Sequence, residues 1–205
     1  MPPDSSSFAY LNLPPSTPIP PWMGSFTLTA RTRAGTDLWR KPSRDTFTAP
    51  VLYTRPLMTF TRAEVLVVAP WNYEWDQGGL VIFAGHKWVK AGIEFYDCRS
   101  VASSVSASTD GADWSLVELP KGQNDLRVRL EKVGSSLEVW FEDGQGEWKK
   151  LREVNWFFWG VEEKTIKVGV YASRPANLNF PQAMSSPGTR LSDGLVVEFE
   201  GLEIW

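Results

Sequence analysis

Hydrophobic and polar residues alternate along residues 87–97, KWVKAGIEFYD, with the period of two that is typical of a β-strand. The apolar set consists of Val89, Ala91, Ile93 and Phe95. The interleaved set consists of Trp88, Lys90, Gly92 and Glu94. An ordinary solvated face needs no tryptophan, and a second core face does not tolerate unpaired charges. The pattern therefore predicts a strand with one core face and one face of mixed aromatic and charged character.

Three further segments, 126–131, 137–142 and 165–172, alternate in the same way. We predict that their non-core faces combine with that of 87–97 into one broad surface, formed by Trp88, Lys90, Glu94, Arg129, Trp140 and Tyr171. Aromatic rings stack on the apolar faces of sugar rings, while the charges and the serines Ser104 and Ser106 hydrogen-bond hydroxyl groups. The competing interpretation is a face that loops cover or that is simply solvated.

The rest of the chain has the pattern of short strands separated by turn residues. Strands are predicted within 26–31, 62–70, 78–85, 100–109 and 195–205, whereas 41–50 is predicted as a loop, DGADWS (110–115) as a turn and NWFFWG (155–160) as an aromatic loop. No segment keeps a helical period over three turns. We therefore predict an all-β protein, a sandwich or barrel of antiparallel sheets.

The first 22 residues differ in composition from the rest. They are rich in proline and serine and contain LPPSTPIPPW, which is typical of an extended, partly polyproline-like segment. We predict an extended arm over residues 1–22 and a single β-sandwich domain over residues 23–205, a size that one domain of the larger β type can have.

Composition and charge limit the classes of binding partner and the cellular compartment that we expect. A net charge of −3 provides no dense basic patch for nucleic acid or for an anionic membrane, so neither partner is expected. Cys98 is the single cysteine, which rules out an internal disulfide, and the first residues lack the pattern of a secretion signal. These features predict a cytoplasmic location.

Several motifs together resemble the domain-of-unknown-function 1349 family, whose members are sometimes described as regulation-of-enolase-like. The resemblance covers about residues 24–205 and is carried by DQGGLVIFAGHKWVKAGIEFYD, SVSASTDGADWS and LRVRLEKVGSSLEVWFEDGQGEWKKLREV. Upstream of these motifs, GTDLWRKPSRDTFTAPVLY looks like the amino-terminal extension of fungal members. It implies a concanavalin A-like jelly roll of two packed antiparallel sheets, whose concave face holds glycans in relatives of that fold. The positions that match the family pattern, without a proven role, are Asp76, Gln77, Trp88, Lys90, Glu94, Asp113, Trp114 and Ser115.

Catalytic chemistry has weaker support in the sequence. Glu198, Glu200 and Glu203 resemble the spacing of the acids in concanavalin-like glucanases, and Gly201 supplies a candidate bulge, but the middle acid is Glu rather than Asp. A charged outer edge of a terminal strand explains the same residues. The sole histidine, His86, has the setting of a turn residue and lacks the partners of a zinc site, so no metal or cofactor is expected.

We interpret the chain as a non-enzymatic β-sandwich that binds a carbohydrate or a protein segment on its concave face. The first alternative is a glycoside hydrolase that uses Glu94 or the three acids of the last segment. The second alternative is a protein-interaction regulator of carbohydrate metabolism, in which the proline-rich arm or the NWFFWG loop contacts a protein partner.

Overall fold

A computed structural model describes residues 2–31, 35–162, 165–176 and 194–205. The described chain contains one short 3-10 helix, Ser5–Ser7, and strands numbered in chain order. The strands are β1 (Phe8–Leu11), β2 (Ser25–Arg31), β3 (Leu38–Lys41), β4 (Arg44–Phe47), β5 (Val51–Thr54), β6 (Arg62–Val68), β7 (Gln77–Ala84), β8 (Lys87–Tyr96), β9 (Arg99–Ser108), β10 (Gly111–Glu118), β11 (Asp125–Val133), β12 (Ser136–Glu142), β13 (Trp148–Val154), β14 (Ile166–Ser173) and β15 (Gly194–Ile204). No helix in these ranges is long and apolar enough to cross a membrane.

Two large antiparallel sheets form the body of the protein, which confirms the predicted all-β sandwich. One sheet has seven strands in the order β1-β5-β14-β7-β8-β9-β10, and the other has six in the order β13-β12-β11-β6-β15-β2. Neighbouring strands in both sheets pair antiparallel. The remaining two strands, β3 and β4, form a separate hairpin.

The hydrophobic core lies between the two sheets. The predicted apolar residues Val89, Ala91 and Ile93 of β8 lie in this core together with Val128 and Leu130 of β11, and all are buried. In the six-stranded sheet, burial alternates along the strands, as in the pattern of β6, because the second face of that sheet meets solvent.

The seven-stranded sheet is different because both of its faces are buried in the middle. A second apolar cluster covers its outer face and contains Leu38 of β3, Val81 of β7, Trp88 of β8 and Tyr171 of β14. The β3–β4 hairpin therefore forms a third layer over part of this sheet. Arg40 fixes the hairpin, since its Nη1 donates to the carbonyl oxygens of His86 (2.7 Å) and Ser108 (2.8 Å).

Two predicted loops are strands in the structure. Residues 44–47 lie within the segment predicted as a loop, and they form β4 around the Pro42–Ser43 turn. In DGADWS the turn is limited to its first residues, and β10 begins at Gly111 and pairs with β9. Both predictions are wrong because Pro42–Ser43 and Asp110 confine the turns to the start of each segment, while the residues after them pair as strands.

The beginning of the chain is also more ordered than an extended arm. Residues 8–11 form β1, which pairs with β5 at the edge of the seven-stranded sheet, and Phe8 is buried in the core. Part of the 1–22 segment thus belongs to the sandwich, because Phe8 and Tyr10, which precede the proline-rich LPPSTPIPPW, pack into or against its core.

Candidate functional site

The six residues predicted to share one surface lie on opposite sides of the molecule. Trp88, Lys90, Glu94 and Tyr171 lie on the outer face of the seven-stranded sheet, as the alternation along β8 and β14 shows. Arg129 and Trp140 are cross-strand neighbours on the outer face of the six-stranded sheet. The core separates the two groups. The prediction of a single surface is wrong because alternation assigns a residue to a face of its strand but does not assign the strand to a sheet.

Local partners occupy Arg129 and Trp140. Arg129 Nε lies 2.7 Å from Glu64 Oε1, and its guanidinium lies 3.9 Å from the ring centre of Trp148. The Lys150 ammonium lies 5.0 Å from the Trp140 ring centre and pairs with Glu138. This face has the cross-strand ion pairs and cation–π contacts of an ordinary solvated sheet.

Trp88 and Tyr171 are sealed rather than displayed. Their exposed fractions are 2% and 0%, because Leu38 of the hairpin and Ala49, which precedes β5, pack in one cluster with them. They are therefore not an open stacking platform, and the interpretation of a loop-covered face is correct for this part of the sheet. Lys90 and Glu94 lie further along β8, beyond the main cover.

A buried polar network joins Lys90 and Glu94 on this face. Lys90 Nζ donates to Gln77 Oε1 at 2.6 Å and lies 3.5 Å from Asp37 Oδ1. Glu94 accepts a hydrogen bond from Trp114 Nε1 at 2.9 Å and one from Gln77 Nε2 at 3.4 Å. We call Asp37, Gln77, Lys90 and Glu94 the polar floor. Lys90, Glu94 and Gln77 are each at most 3% exposed.

Glycines make room for the polar floor. Gly79 and Gly92 are directly paired across β7 and β8, between the row of Lys90 and the row of Gln77 and Glu94. A methyl group at Gly92 would overlap the carbonyl oxygen of Gly78 and lie 2.7 Å from the Cα atom of Gly79. The glycine pair keeps the strands in register and leaves no side chain between Lys90 and Gln77.

Burial changes the protonation chemistry of these groups. Desolvation lowers the pKa of Lys90, and the nearby Asp37 and Glu94 carboxylates oppose this change. Desolvation raises the pKa of Glu94, while the Lys90 charge and hydrogen bonds from Ser103 and Trp114 oppose it. Each group is thus held towards its neutral form by burial and towards its charged form by its partners.

Three tryptophans surround the polar floor. A cavity of about 380 Å³ opens above it, a volume in the range of small-molecule sites. Trp75 and Trp114 pack edge to face with ring centres 5.6 Å apart, and Tyr96 supports both of them from 5.0 Å and 5.2 Å. The cavity is lined by Asp37, Trp39, Lys41, Trp75, Gln77, Lys90, Glu94, Val105, Trp114 and Pro175.

The backbone at Trp75 is held in an unusual conformation. Its φ angle of +71° lies in the left-handed region that bulky residues rarely adopt. The Trp75 amide donates to the Phe95 carbonyl at 2.8 Å, and its own carbonyl accepts from Gln77 Nε2 at 3.2 Å. Strained residues of this kind are concentrated at binding sites, where the surrounding structure enforces them.

A buried ion pair anchors the loop that carries Trp75. Arg174 donates to both carboxylate oxygens of Asp76, at 2.6 Å and 2.7 Å, and Asp76 also accepts from the amides of Asn72 and Tyr73. A bidentate pair of this type fixes orientation as well as position. Asp76 therefore holds the rim of the cavity rather than its interior.

The two serines proposed as hydroxyl-binding residues point elsewhere. Ser104 and Ser106 pair with Ala91 and Val89, so they face the core side of the seven-stranded sheet. Arg152 of the other sheet donates to Ser106 Oγ at 2.9 Å and forms an ion pair with Asp113. The serines thus belong to a polar closure of the sandwich edge, and the prediction that they act beside Lys90 is wrong.

The three acids of β15 are not next to the cavity. Glu198, Glu200 and Glu203 all lie on the outer face of the six-stranded sheet, and a register shift with Gly201 at a φ of +62° forms the predicted bulge. However, β15 pairs with both β6 and β2, so it is not the edge strand that the alternative explanation required. Glu198 and Glu200 are exposed to solvent, far from the environment of a buried acid.

The NWFFWG loop is partly open to solvent. Trp159 is 81% exposed, whereas Phe157 is fully buried beneath the loop. Lys87 Nζ donates to the carbonyl oxygens of Trp156 (3.2 Å) and Trp159 (2.6 Å) and so holds the loop against β8. His86 lies in the turn before β8, as predicted.

The site contains residues that the sequence did not reveal. Asp37 and Trp39 come from the hairpin segment that was predicted partly as a loop, and Trp75 lies in an irregular loop before β7. A usable signal for the hairpin was present, since LWRK and RDTF flank a Pro-Ser pair. No periodic pattern marks Trp75.

Comparisons with known proteins agree on the family and the fold. The model of the family described as "Protein of unknown function (DUF1349)" matches residues 21–205. An uncharacterized protein of Emericella nidulans, AN7484, is 39% identical over an alignment of 150 residues, which covers 69% of this chain and 74% of that protein. The crystal structure of a functionally unknown protein from Saccharomyces cerevisiae superposes with a TM-score of 0.72 at 22% identity, covering 98% of this chain and 97% of that one.

A further group of similar structures consists of longer proteins. The Bacteroides ovatus xyloglucan PUL GH43B superposes with a TM-score of 0.60 at 14% identity, covering 89% of this chain and 32% of that one. The GH43 BlXynB protein from Bacillus licheniformis gives 0.57 at 11% identity, with 85% and 31% coverage. This chain therefore corresponds to about a third of each, and the similarity concerns the fold alone.

Proposed function

This chain belongs to the DUF1349 protein family, and on that premise we propose that it binds a saccharide in the cavity above the polar floor. The observation that carries the proposal is the combination of indole walls with buried, hydrogen-bonded charges at one site. Trp39, Trp75 and Trp114 line the cavity, and Lys90, Gln77 and Glu94 form its base. Sugars present an apolar ring face to aromatic rings and hydroxyl groups to charged groups.

The charges around the cavity favour a neutral ligand. Two carboxylates, Asp37 and Glu94, are balanced by two ammonium groups, Lys41 and Lys90, among the lining residues. An anionic or cationic ligand would leave a net charge next to the buried groups of Lys90 and Glu94, which is costly. A polyhydroxylated neutral ligand both donates to the carboxylates and accepts from Lys90 without such a cost.

Binding can be measured by isothermal titration calorimetry with a panel of methyl glycosides of hexoses and pentoses. Xylose is included because one structural neighbour is described by its relation to xyloglucan. We expect at least one member to bind, and Trp39→Ala to weaken that binding by about 1 kcal/mol, the scale of one aromatic contact. Trp159→Ala is the matched control, since this indole is 81% exposed and does not line the cavity. Absence of binding across the panel would contradict the proposal.

Glycoside hydrolysis is a second candidate, favoured by one observation. The cavity is lined by two carboxyl groups, Asp37 and Glu94, and burial raises the pKa of Glu94 as a general acid requires. Release of reducing ends from xylo- and cello-oligosaccharides that disappears in Glu94→Gln would establish this activity. Binding without release would leave the chain as a non-enzymatic saccharide-binding protein.

A cytoplasmic location and a protein partner are separate proposals. A single exposed, unpaired thiol at Cys98 suits a reducing compartment, and the exposed Trp159 is a candidate contact for another protein. Cell fractionation tests the first of these. Co-purification that is lost in Trp159→Ala but kept in Trp39→Ala tests the second.

A further inference from the structure

We infer that the cavity receives the end of a saccharide, as a free small sugar or as the terminal residue of a longer chain, and does not bind an internal segment. This inference rests on the proposed saccharide binding and specifies the class of ligand. It follows from the way in which the outer face of the seven-stranded sheet is closed around the polar floor.

Four separate parts of the described chain form the walls. The hairpin and the residue before it contribute Trp39 and Asp37, the loop before β7 contributes Trp75, β10 contributes Trp114, and the residues after β14 contribute Pro175. A groove for a polysaccharide needs two open ends. Walls contributed by segments on several sides instead produce a pocket that a chain enters from one direction.

The sheet surface next to the floor is sealed. Moving from Lys90 along β8 towards its start, the next residue on the same face is Trp88, and its neighbour on β9 is Ala107. Both are buried beneath the hairpin cover, at 2% and 0% exposure. Arg40 fixes that cover through the carbonyl oxygens of His86 and Ser108, so the described residues leave no open path there for further sugar residues.

The opposite direction along β8 is also blocked. The next outer-face residue after Glu94 is Tyr96, whose ring packs against both Trp75 and Trp114. The amide of Trp75 is hydrogen-bonded to the Phe95 carbonyl, which fixes the loop over this end of the strand. The polar floor is therefore bounded at both ends of β8.

The polar groups of the floor are joined to one another by direct contacts. Lys90, Gln77 and Glu94 form a continuous hydrogen-bonded series, and the buried Asp37 Oδ1 meets Lys90 Nζ only in a long ion pair of 3.5 Å. Because this contact is long, the carboxylate oxygen can accept a further hydrogen bond from a ligand hydroxyl group. Recognition is thus concentrated on one residue of the ligand instead of being distributed along a chain.

Chain-length dependence tests this inference with the unmodified protein. Titrations use xylose with xylo-oligosaccharides of two to six residues, and glucose with the matching cello-oligosaccharides. For the series that binds, we expect the dissociation constant to change by less than about threefold beyond the disaccharide, with one protein per saccharide chain, because added residues lie outside the pocket. A dissociation constant that falls by more than about tenfold from the disaccharide to the hexasaccharide, or binding of several proteins to one hexasaccharide, would overturn the inference.

The two proposals fail in different ways. If no sugar of either series or of the glycoside panel binds, the proposed function itself is wrong. If sugars bind but affinity increases with length, only end recognition is wrong.

Arg40→Met provides a second test that does not remove a cavity-lining residue, since it releases the hairpin from the His86 and Ser108 carbonyls. We expect this variant to acquire length dependence, whereas an unchanged length profile would contradict the role of the hairpin.

Discussion

The two outer faces of this sandwich use charged and aromatic residues in opposite ways. On the six-stranded sheet, Arg127 Nε lies 3.3 Å from Glu142 Oε2, and both side chains are about one third exposed or more. On the seven-stranded sheet, Lys90 and Glu94 belong to a network that is almost completely buried. The composition of the two faces is alike, yet the second carries a covering hairpin and a cavity.

This difference shows which charges call for a functional explanation. Exposed ion pairs contribute little stability and are common on solvated sheets. Buried ionic groups are costly to desolvate and are replaced without loss by apolar residues in many proteins, so their presence at a cavity indicates a role beyond stability. Matched substitutions on the two faces test this difference.

Removing one buried charge should have the largest effect. We expect Lys90→Met to decrease the free energy of unfolding by roughly 3–5 kcal/mol, because it leaves Glu94 and Asp37 without their nearest cation. The matched substitution on the other face, Arg127→Met, should cost less than about 1 kcal/mol. Urea denaturation of both variants measures the difference, and similar losses in the two would show that the faces are energetically alike.

The glycine pair should be the next most sensitive feature. In Gly92→Ala, the new methyl group overlaps the backbone of β7, and we expect a loss of about 3 kcal/mol, the upper end of typical overpacking costs. Gly144→Ala is the control, since its methyl group would meet only Pro120 and Gln123 at ordinary contact distances. Thermal unfolding distinguishes the two variants. An equal effect would mean that strand separation at Gly79 and Gly92 is not constrained.

A smaller effect is expected in the pH dependence of stability. Burial raises the pKa of Glu94 in the folded state above its ordinary value of 4.5. At pH values between 4.5 and this raised pKa, the folded state therefore holds a proton that the unfolded state has lost. The stability contribution of this group is therefore complete below 4.5 and is lost as the pH rises through the raised pKa, by at most about 1.4 kcal/mol per pH unit.

In Glu94→Gln this component should disappear, so the difference in unfolding free energy between wild type and variant should shift in favour of the variant as the pH increases. Urea titrations at a series of pH values from about 4 to 8 measure it. A difference that is constant with pH would contradict a raised pKa at this residue.

The architecture was accessible from the sequence because a period of two is a local property. The apolar sets at 87–97 and 166–172 lie in or against the core, and β6 (Arg62–Val68) and β11 (Asp125–Val133) agree within two residues with the segments predicted at 62–70 and 126–131. The absence of a long helical period was sufficient to predict the all-β class.

Only part of the site could be predicted from the sequence, and the reason is physical. Lys90 and Glu94 lie on one face of one strand with Gly92 between them, so their position on a shared face could be predicted. The sheet to which the strand of Arg129 belongs depends instead on long-range pairing that no single segment encodes. Asp37, Trp39 and Trp75 reach the cavity through irregular segments whose position is set by tertiary contacts such as those of Arg40 and Arg174.

The most direct test is the response of the indole N–H signals of the 11 tryptophans to a saccharide in two-dimensional NMR, after assignment by single Trp→Phe substitutions. With the tightest-binding methyl glycoside of the panel, the account predicts that the signals of Trp39, Trp75 and Trp114 shift together while those of Trp140 and Trp148 stay constant. Shifts confined to Trp140 and Trp148, or no shift of any indole signal, would contradict it.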